Sequence, residues 1–467
     1  MARVLFVQKK QLMQKENIGI MQISSVLKSH GHQCDLLLAE NSTADLVRRV
    51  KSYSPDIVGF SVMTIDAEWV LEVASLIRYK GMQRLTVAGG PHPTFFPDFL
   101  ENDCIDVINV GEGEHAMREL ADAMDNQKDF INIENLHVKR DGRIHKNRLR
   151  PLADINQLPF PDRDMYLKYK AFRKQKNFNF IVSRGCPYDC SFCFMHQWRA
   201  LYKSVCGKGD LVRLREVDLC IEEITEFSKK VDISTVSFVD SSFNLEKEWT
   251  IAFLRAYGQT IGIPFTINVR PNLVDEDIVK AIADTKCCQS VRMGIEVGSE
   301  KLRHQLLRKK IKNEQIYRAA ELLRRHGIRF VVFTMYGLPG ETLEDALETI
   351  EMARKLKPFS LSVQLFHPYP GLDITRHAIE KGYLRDAQLL KLANKEYRTH
   401  KSILKQPEID EVVNLLKLSI LAIRLPLLLP VIRRLTKRKP NALYDLIYMI
   451  SAYLMLRKYT VVSIFNR

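Results

Sequence analysis

The chain has 467 residues, 46% of them apolar, with 70 Lys and Arg against 55 Asp and Glu and a formal net charge of +15. That length is too great for a single core and predicts two or three domains. The nine cysteines form no paired framework, and residues 1–7 read as a short apolar strand running into Lys9 and Lys10 rather than a signal peptide, so a disulfide scaffold is excluded and a reducing, cytoplasmic setting is expected.

In residues 1–149 short apolar runs at 3–7, 34–38, 56–61, 84–88 and 105–110 alternate with helical patterns at 17–30, 43–52, 67–80 and 114–124. Such alternation predicts a doubly wound parallel sheet, and five strands fit a flavodoxin-like order. Sheets of this kind bind ligands beyond the C-terminal ends of their strands. Those ends carry Ser61-Val62-Met63-Thr64, Gly89-Gly90-Pro91-His92-Pro93-Thr94 and Gly111-Glu112-Gly113-Glu114. Ser61, Thr64, Gly89, Gly90, Gly111, Glu112 and Gly113 are therefore candidate ligand contacts, with glycine allowing close backbone approach. His92 is the nearest imidazole in such a loop; facing a ligand and plain turn packing between two prolines are both open to it. His30, His32, His115, His137 and His145 read as ordinary structural histidines.

A connector, 150–176, contains Pro151, Pro159 and Pro161, which rule out a regular helix or strand interior and predict an ordered strap. Directly after an apolar stretch at 178–182 comes Cys186-Pro187-Tyr188-Asp189-Cys190-Ser191-Phe192-Cys193. Three thiolates at spacings of three and two residues can hold one face of a cuboidal iron–sulfur cluster and leave a fourth iron without a protein ligand. The competing use is zinc, with His196 completing a Cys3His set.

Strand patterns at 178–183, 235–239, 264–268, 289–294, 329–335 and 359–366 alternate with helices at 217–227, 247–261, 275–284, 313–326 and 343–356. Six βα units over 177–375 predict a partial (β/α)6 barrel, whose chemistry collects at the C-terminal ends of its strands. Those ends are polar: Asp240-Ser241-Ser242, Asn268-Val269-Arg270, Gly294-Ile295-Glu296 and Tyr336-Gly337-Leu338-Pro339-Gly340-Glu341. Gly337, Pro339 and Gly340 would shape the last of these loops, with Glu341 facing the mouth or capping the next helix.

In the tail, 376–467, residues 401–467 hold 12 Lys and Arg against 4 Asp and Glu, a net +8. Leu415–Leu435 is apolar but broken by Lys417, Arg424, Pro426 and Pro430, so it fails as a membrane span. Apolar faces bordered by cations and by Tyr444, Tyr448, Tyr453 and Tyr459 fit a helical hairpin lying in an anionic membrane interface; a helical subdomain packed on the barrel is the alternative.

The cysteine loop, with Gly185, Pro187 and the aromatic Phe192 beside the last thiol, resembles the cluster loop of the radical S-adenosylmethionine (SAM) enzymes. The order of the N-terminal strand ends, with Ser25, Gly31 and His32 upstream, resembles the cobalamin-binding domain fused ahead of many of them, as does the strap Leu158-Pro159-Phe160-Pro161-Asp162-Arg163. The resemblance implies three cofactors: a [4Fe-4S] cluster on Cys186, Cys190 and Cys193, SAM chelated by the open iron, and cobalamin. It places Arg270 and Glu296 at SAM-binding positions, Phe192 beside the cofactor, and Asp240 in an acidic motif whose second acid is here Ser241. No Asp-x-His pair occurs in residues 1–150, so the implied corrinoid has no His lower ligand.

In activity, the resemblance implies a class B radical SAM methyltransferase acting on an unactivated carbon of a hydrophobic or natural-product-like substrate, fed by a flavodoxin- or ferredoxin-type donor. A corrinoid-assisted cyclase or rearranging enzyme is the runner-up, and a non-catalytic corrinoid or iron–sulfur carrier is more distant. A tRNA methylthiotransferase fits less well, because only Cys34 and Cys104 precede residue 186, and a nucleic-acid partner is not expected. The expected location is cytoplasmic, with peripheral contact at the inner face of the membrane through the tail.

Overall fold

The structure, a computed structural model, describes all residues except 11–15, 40–43, 81, 83, 207–210, 386–400 and 466–467, and no side chains from 455 onward. It divides into two compact units: one comprises Met1–Gln175 and Ala200–Arg213, the other Lys176–Arg199 and most of the chain from Leu214 onward.

In the first unit β1 (Arg3–Lys9), β2 (Gln33–Ala39), β3 (Ile57–Ser61), β4 (Leu85–Gly89) and β5 (Val107–Asn109) lie in the order β2-β1-β3-β4-β5, all parallel. This is the flavodoxin-like order expected from the alternation. Successive side chains serve two cores: Val4, Phe6, Leu36 and Leu38 pack into one, Leu5, Val7, Leu37 and Phe60 into the other. A strand buried on both faces reads as an unbroken apolar run, and each such residue contributes roughly 1.5–3 kcal/mol by burial.

An antiparallel hairpin, β6 (Leu136–Arg140) and β7 (Arg143–Lys146), extends the sheet beyond β5. It joins through Asp141-Gly142, both at positive φ (50° and 71°), the backbone that a two-residue hairpin needs. Helices Ile18–Ser29, Ala44–Tyr53, Ala67–Tyr79 and Glu114–Asp125 connect the parallel strands. Asn17 caps the first, its side chain accepting from the Ile20 N–H at 3.1 Å. The proline strap is ordered against this helix: Gln22 Nε2 donates to the Pro159 carbonyl (2.7 Å), and Asp162 Oδ2 accepts from Ser24 Oγ and Lys28 Nζ, both at 2.6 Å.

In the second unit the chain forms β8 (Asn177–Phe180), the two-residue strand β9 (Ser183–Arg184), then β11 (Thr235–Phe238), β12 (Phe265–Val269), β13 (Cys288–Glu296), β14 (Phe330–Tyr336) and β15 (Ser360–Leu365); β10 (Arg213–Leu214) falls where the chain passes from the first unit to the second. One six-stranded sheet runs β8-β11-β12-β13-β14-β15, every pair parallel and every neighbour next in that succession. This is a partial barrel of six βα units, with connecting helices at Val217–Lys230, Lys247–Thr260, Glu276–Asp284, Asn313–Arg325 and Leu343–Leu356.

The first helix of the tail takes the packed-subdomain alternative. Helix Ile409–Arg424 packs on the Leu343–Leu356 helix and on β14 and β15, and it buries Leu415, Leu416, Leu418 and Ile420 in protein. Its polar groups are met by tertiary partners. Lys417, only 2% exposed, pairs with Asp445 at 2.8 Å, and Asn414 Nδ2 donates to the Thr436 and Arg438 carbonyls at 3.0 and 2.6 Å. Helices Leu429–Thr436 and Ala442–Phe465 pack back onto it. Among the described residues no helix is long and apolar enough to cross a membrane. Tyr459, expected at the hairpin's border, lies outside the described side chains.

Candidate functional site

In the first unit the candidate residues collect where the sequence placed them, beyond β3, β4 and β5. Ser61, the last residue of β3, accepts a hydrogen bond from Asn17 Nδ2 (2.9 Å). Thr64 opens a short 3-10 turn, and its Oγ1 lies 3.3 Å from His92 Nδ1. His92 sits on a one-turn helix, Pro91–Phe95, against the rings of Phe96 and Phe99 at 5.1 and 5.0 Å. Burial lowers its pKa to about 4, so the imidazole is neutral. Gly89 ends β4, and Gly90 turns at φ 93°, where an added Cβ would stand 3.1 Å from the Val62 nitrogen. Gly113 precedes the Glu114–Asp125 helix and lies against Ile23.

Glu112, expected to face a ligand, is instead part of a clamp. Its carboxylate holds Arg213 through two hydrogen bonds (3.0 and 2.5 Å) and accepts from the Ala153 N–H (3.1 Å). Its own N–H donates to the Tyr202 hydroxyl (2.9 Å), and its carbonyl accepts from Asn135 Nδ2 (2.8 Å). Gly111 turns at φ 83° directly under Tyr202: a Cβ there would lie 2.0 Å from the phenol oxygen. Thr94 Oγ1 takes the Gly111 N–H (3.0 Å). Tyr202 and Arg213 were not legible from the strand-end pattern, because they come from a segment about 90 and 101 residues downstream.

In the second unit Gly185, at φ 97°, opens the cysteine loop. Ser191 fixes its middle: its N–H donates to the Leu307 carbonyl (3.1 Å), its Oγ to the Leu306 carbonyl (2.6 Å), and its carbonyl accepts from the Ile374 N–H (3.2 Å). Asp189 pairs with Arg199, whose guanidinium also reaches the Pro187 carbonyl. The thiols are close enough to influence one another. Burial raises Cys186, with Cys190 adding to the effect while Arg270 and Arg199 oppose it; burial pushes Cys193 up to about 11, with Cys186, Cys190 and Glu296 adding to the effect. Arg270 and Glu296 therefore lie within electrostatic reach of the cysteines. Phe192 packs partly buried against the cluster containing Val297, Leu307 and Leu338.

The Arg270 guanidinium carbon stands over the Tyr188 ring of the cysteine loop, 3.4 Å from its centroid, and among the described residues its buried Nε has no partner. Glu296 sits at φ 64° where the register of β13 on β14 shifts, and it pairs with Lys309 Nζ at 2.7 Å, which also donates to the Gly294 carbonyl (2.8 Å). Asp240, expected at SAM, braces the approach to the loop. Its Oδ1 accepts from the Val182 N–H (3.0 Å), the Ser183 N–H (2.7 Å) and Ser183 Oγ (2.6 Å), while Oδ2 is buried without a partner among the described residues and burial raises its pKa to about 6. Glu341 does not cap the next helix, which Thr342 and Asp345 cap reciprocally. It closes its own loop by accepting from the Gly337 and Leu338 N–H groups (2.5 and 2.9 Å), and burial raises it to about 8.

These arrangements fit the implied cofactors. His196 turns both ring nitrogens to carboxylates, Nδ1 to Asp189 (3.1 Å) and Nε2 to Asp373 (3.3 Å), so it does not complete a Cys3His set. Among the described residues no three His, Cys, Asp or Glu side chains converge on the position of a single ion. Three neighbouring thiols spread along a braced loop suit a polynuclear cluster instead. The orphaned Nε of Arg270 is a buried donor that a carboxylate or ribose oxygen could meet. At the β-strand ends, exposed Met63 and Ile65 stand beside Thr64.

Residues 180–353 match the radical SAM superfamily and residues 13–121 the B12 binding domain. An uncharacterized methyltransferase of Pyrococcus horikoshii is 29% identical over 79% of this chain and 79% of its own length. The anaerobic magnesium-protoporphyrin IX monomethyl ester cyclase of Rubrivivax gelatinosus is 28% identical over 77% of this chain and 65% of that protein. Among solved structures, the radical SAM methyltransferase TsrM of Kitasatospora setae, with tryptophan and a SAM analogue bound, superposes with a TM-score of 0.67 at 19% identity, covering 82% of this chain and 76% of that one. That likeness shows a shared fold.

Proposed function

Because the chain belongs to the radical SAM enzymes that carry a B12 binding domain ahead of the radical SAM domain, we propose that it is a cobalamin-dependent C-methyltransferase acting on an unactivated carbon of a hydrophobic or natural-product-like substrate. When bound, the cluster and SAM supply a 5′-deoxyadenosyl radical and cobalamin supplies the methyl group. The observation that carries the reading is the braced loop bearing Cys186, Cys190 and Cys193, with Arg270 set over its Tyr188, in a chain that also matches the B12 binding domain.

The three thiols hold the cluster, and Ser191 and Asp240 fix the loop that presents them. Arg270, oriented by Tyr188, meets the SAM carboxylate or ribose, and Glu296, pinned by Lys309, takes its hydroxyls or ammonium. Ser61, Thr64, Gly89, Gly90 and Gly111 line the corrinoid, while Glu112 and Gly113 shape its loop. A neutral His92 packs on the aromatic side of that site rather than pairing with charge. A flavodoxin- or ferredoxin-type protein delivers electrons, and the enzyme works on the cytoplasmic side.

The test is anaerobic incubation of the reconstituted protein with reductant, SAM carrying a deuterated methyl group and a lipid extract of its own cells. A product heavier by one labelled methyl group, formed with 5′-deoxyadenosine, supports the proposal. The similarity to a cyclase favours a second reading, ring formation without methyl transfer; 5′-deoxyadenosine with no labelled product would select it.

A further inference from the structure

The outer faces of the tail carry apolar side chains that the protein does not cover. Leu427 is 93% exposed on the turn Pro426–Leu428, and Val431, on the next helix, is 54% exposed. Over its described side chains, 442–454, the last helix Ala442–Phe465 carries apolar residues on two sides. One side is buried: Tyr444 donates to the Leu435 carbonyl (3.0 Å) and Tyr448 to the Val363 carbonyl (3.2 Å). On the other side Leu443, Leu446, Met449, Ile450, Tyr453 and Leu454 recur at helical spacing as one stripe, with Leu443 60%, Met449 57% and Tyr453 63% exposed. Helices Leu429–Thr436 and Ala442–Phe465 both turn their buried sides to Ile409–Arg424, so both apolar outer sides face away from it. A contiguous exposed apolar stripe of this kind marks an interaction surface.

The charge beside these residues identifies that environment. Arg434, Lys437, Arg438 and Lys439 are exposed in and after the Leu429–Thr436 helix, directly between the two apolar stretches in sequence. We propose that this face docks on an anionic phospholipid surface, with Leu427, Val431 and the Leu443–Leu454 stripe entering the interface and the four cations meeting lipid phosphates. A second copy of the chain would set the four cations against their own equivalents, which charge repulsion opposes, whereas an anionic bilayer satisfies both features at once. The surface lies outside the residues assigned to the reaction, so the inference stands whether or not the chain methylates.

The test is co-sedimentation of the full-length protein with phosphatidylglycerol–phosphatidylcholine vesicles and with pure phosphatidylcholine vesicles, at low and high salt. Binding to the anionic vesicles that weakens with salt is expected. Each cation near the surface contributes about 1 kcal/mol, about fivefold in affinity, so Lys437→Gln/Arg438→Gln should bind about 25-fold more weakly. Leu427→Asp and Met449→Asp replace exposed side chains and should abolish binding while leaving the melting temperature unchanged. Equal binding to neutral vesicles, no binding to either, or a dimer in light scattering that Leu427→Asp dissolves would overturn the inference.

Discussion

The clamp on the Gly111–Gly113 loop gives the sharpest test of how the corrinoid unit is built. Arg213→Met removes two hydrogen bonds to Glu112 and one to the Ala153 carbonyl (2.6 Å), and leaves the Glu112 carboxylate, 13% exposed, without its counter-ion. Removing one partner of a buried pair costs about 3–5 kcal/mol, and the residual exposure on both sides puts this case near 3 kcal/mol. Glu112→Gln should cost a similar amount, because it strands Arg213. The double variant leaves neither charge unpaired, so it should lose about 2 kcal/mol less than the sum of the singles. Urea unfolding of the four proteins measures the cycle, and hydroxocobalamin titration follows the loop, with every weakened variant binding the corrinoid less tightly. Additive losses, or unchanged cobalamin affinity in Arg213→Met, would refute the reasoning that this pair sets the loop.

Gly111→Ala forces a Cβ to within 2.0 Å of the Tyr202 oxygen at φ 83° and should destabilise by on the order of 3 kcal/mol; Tyr202→Phe in the same chain should recover part of this, measured by thermal melting. Glu341, raised by burial to about 8 from an ordinary 4.5, contributes stability that is complete below about pH 4.5 and is lost as the pH rises towards 8. Glu341→Gln keeps an acceptor for Gly337 and Leu338, so its melting temperature should fall less between pH 5 and about 8 and lie above that of the wild type at the upper end. Ser at any one of Cys186, Cys190 or Cys193 should prevent assembly of the cubane, read as iron and sulfide per chain, and abolish 5′-deoxyadenosine formation.

The parallel strands could be read because burial on both faces leaves runs such as 4–7 and 330–333 apolar without interruption, and the helices between them keep a one-sided pattern. The cysteine loop could be read because three thiols within eight residues have few chemical uses. The hairpin Leu136–Lys146 escaped because its strands are largely polar, although Asp141-Gly142 marked its turn. The partners of Glu112 could not be read for a different reason: Arg213 and Tyr202 arrive from far along the chain. The same holds for Asp240, whose three donors lie at Val182 and Ser183, and for Lys417 in the helix Ile409–Arg424, whose partner Asp445 lies on the last helix.

A cluster with one iron open to SAM is what the proposed chemistry requires first. Electron paramagnetic resonance of the anaerobically reconstituted, dithionite-reduced protein tests this directly. The account predicts the signal of a reduced [4Fe-4S] cluster whose g-values shift when SAM is added and whose shift is diminished in Arg270→Ala. A protein that assembles no such cluster, or one whose signal SAM leaves unmoved, would contradict it.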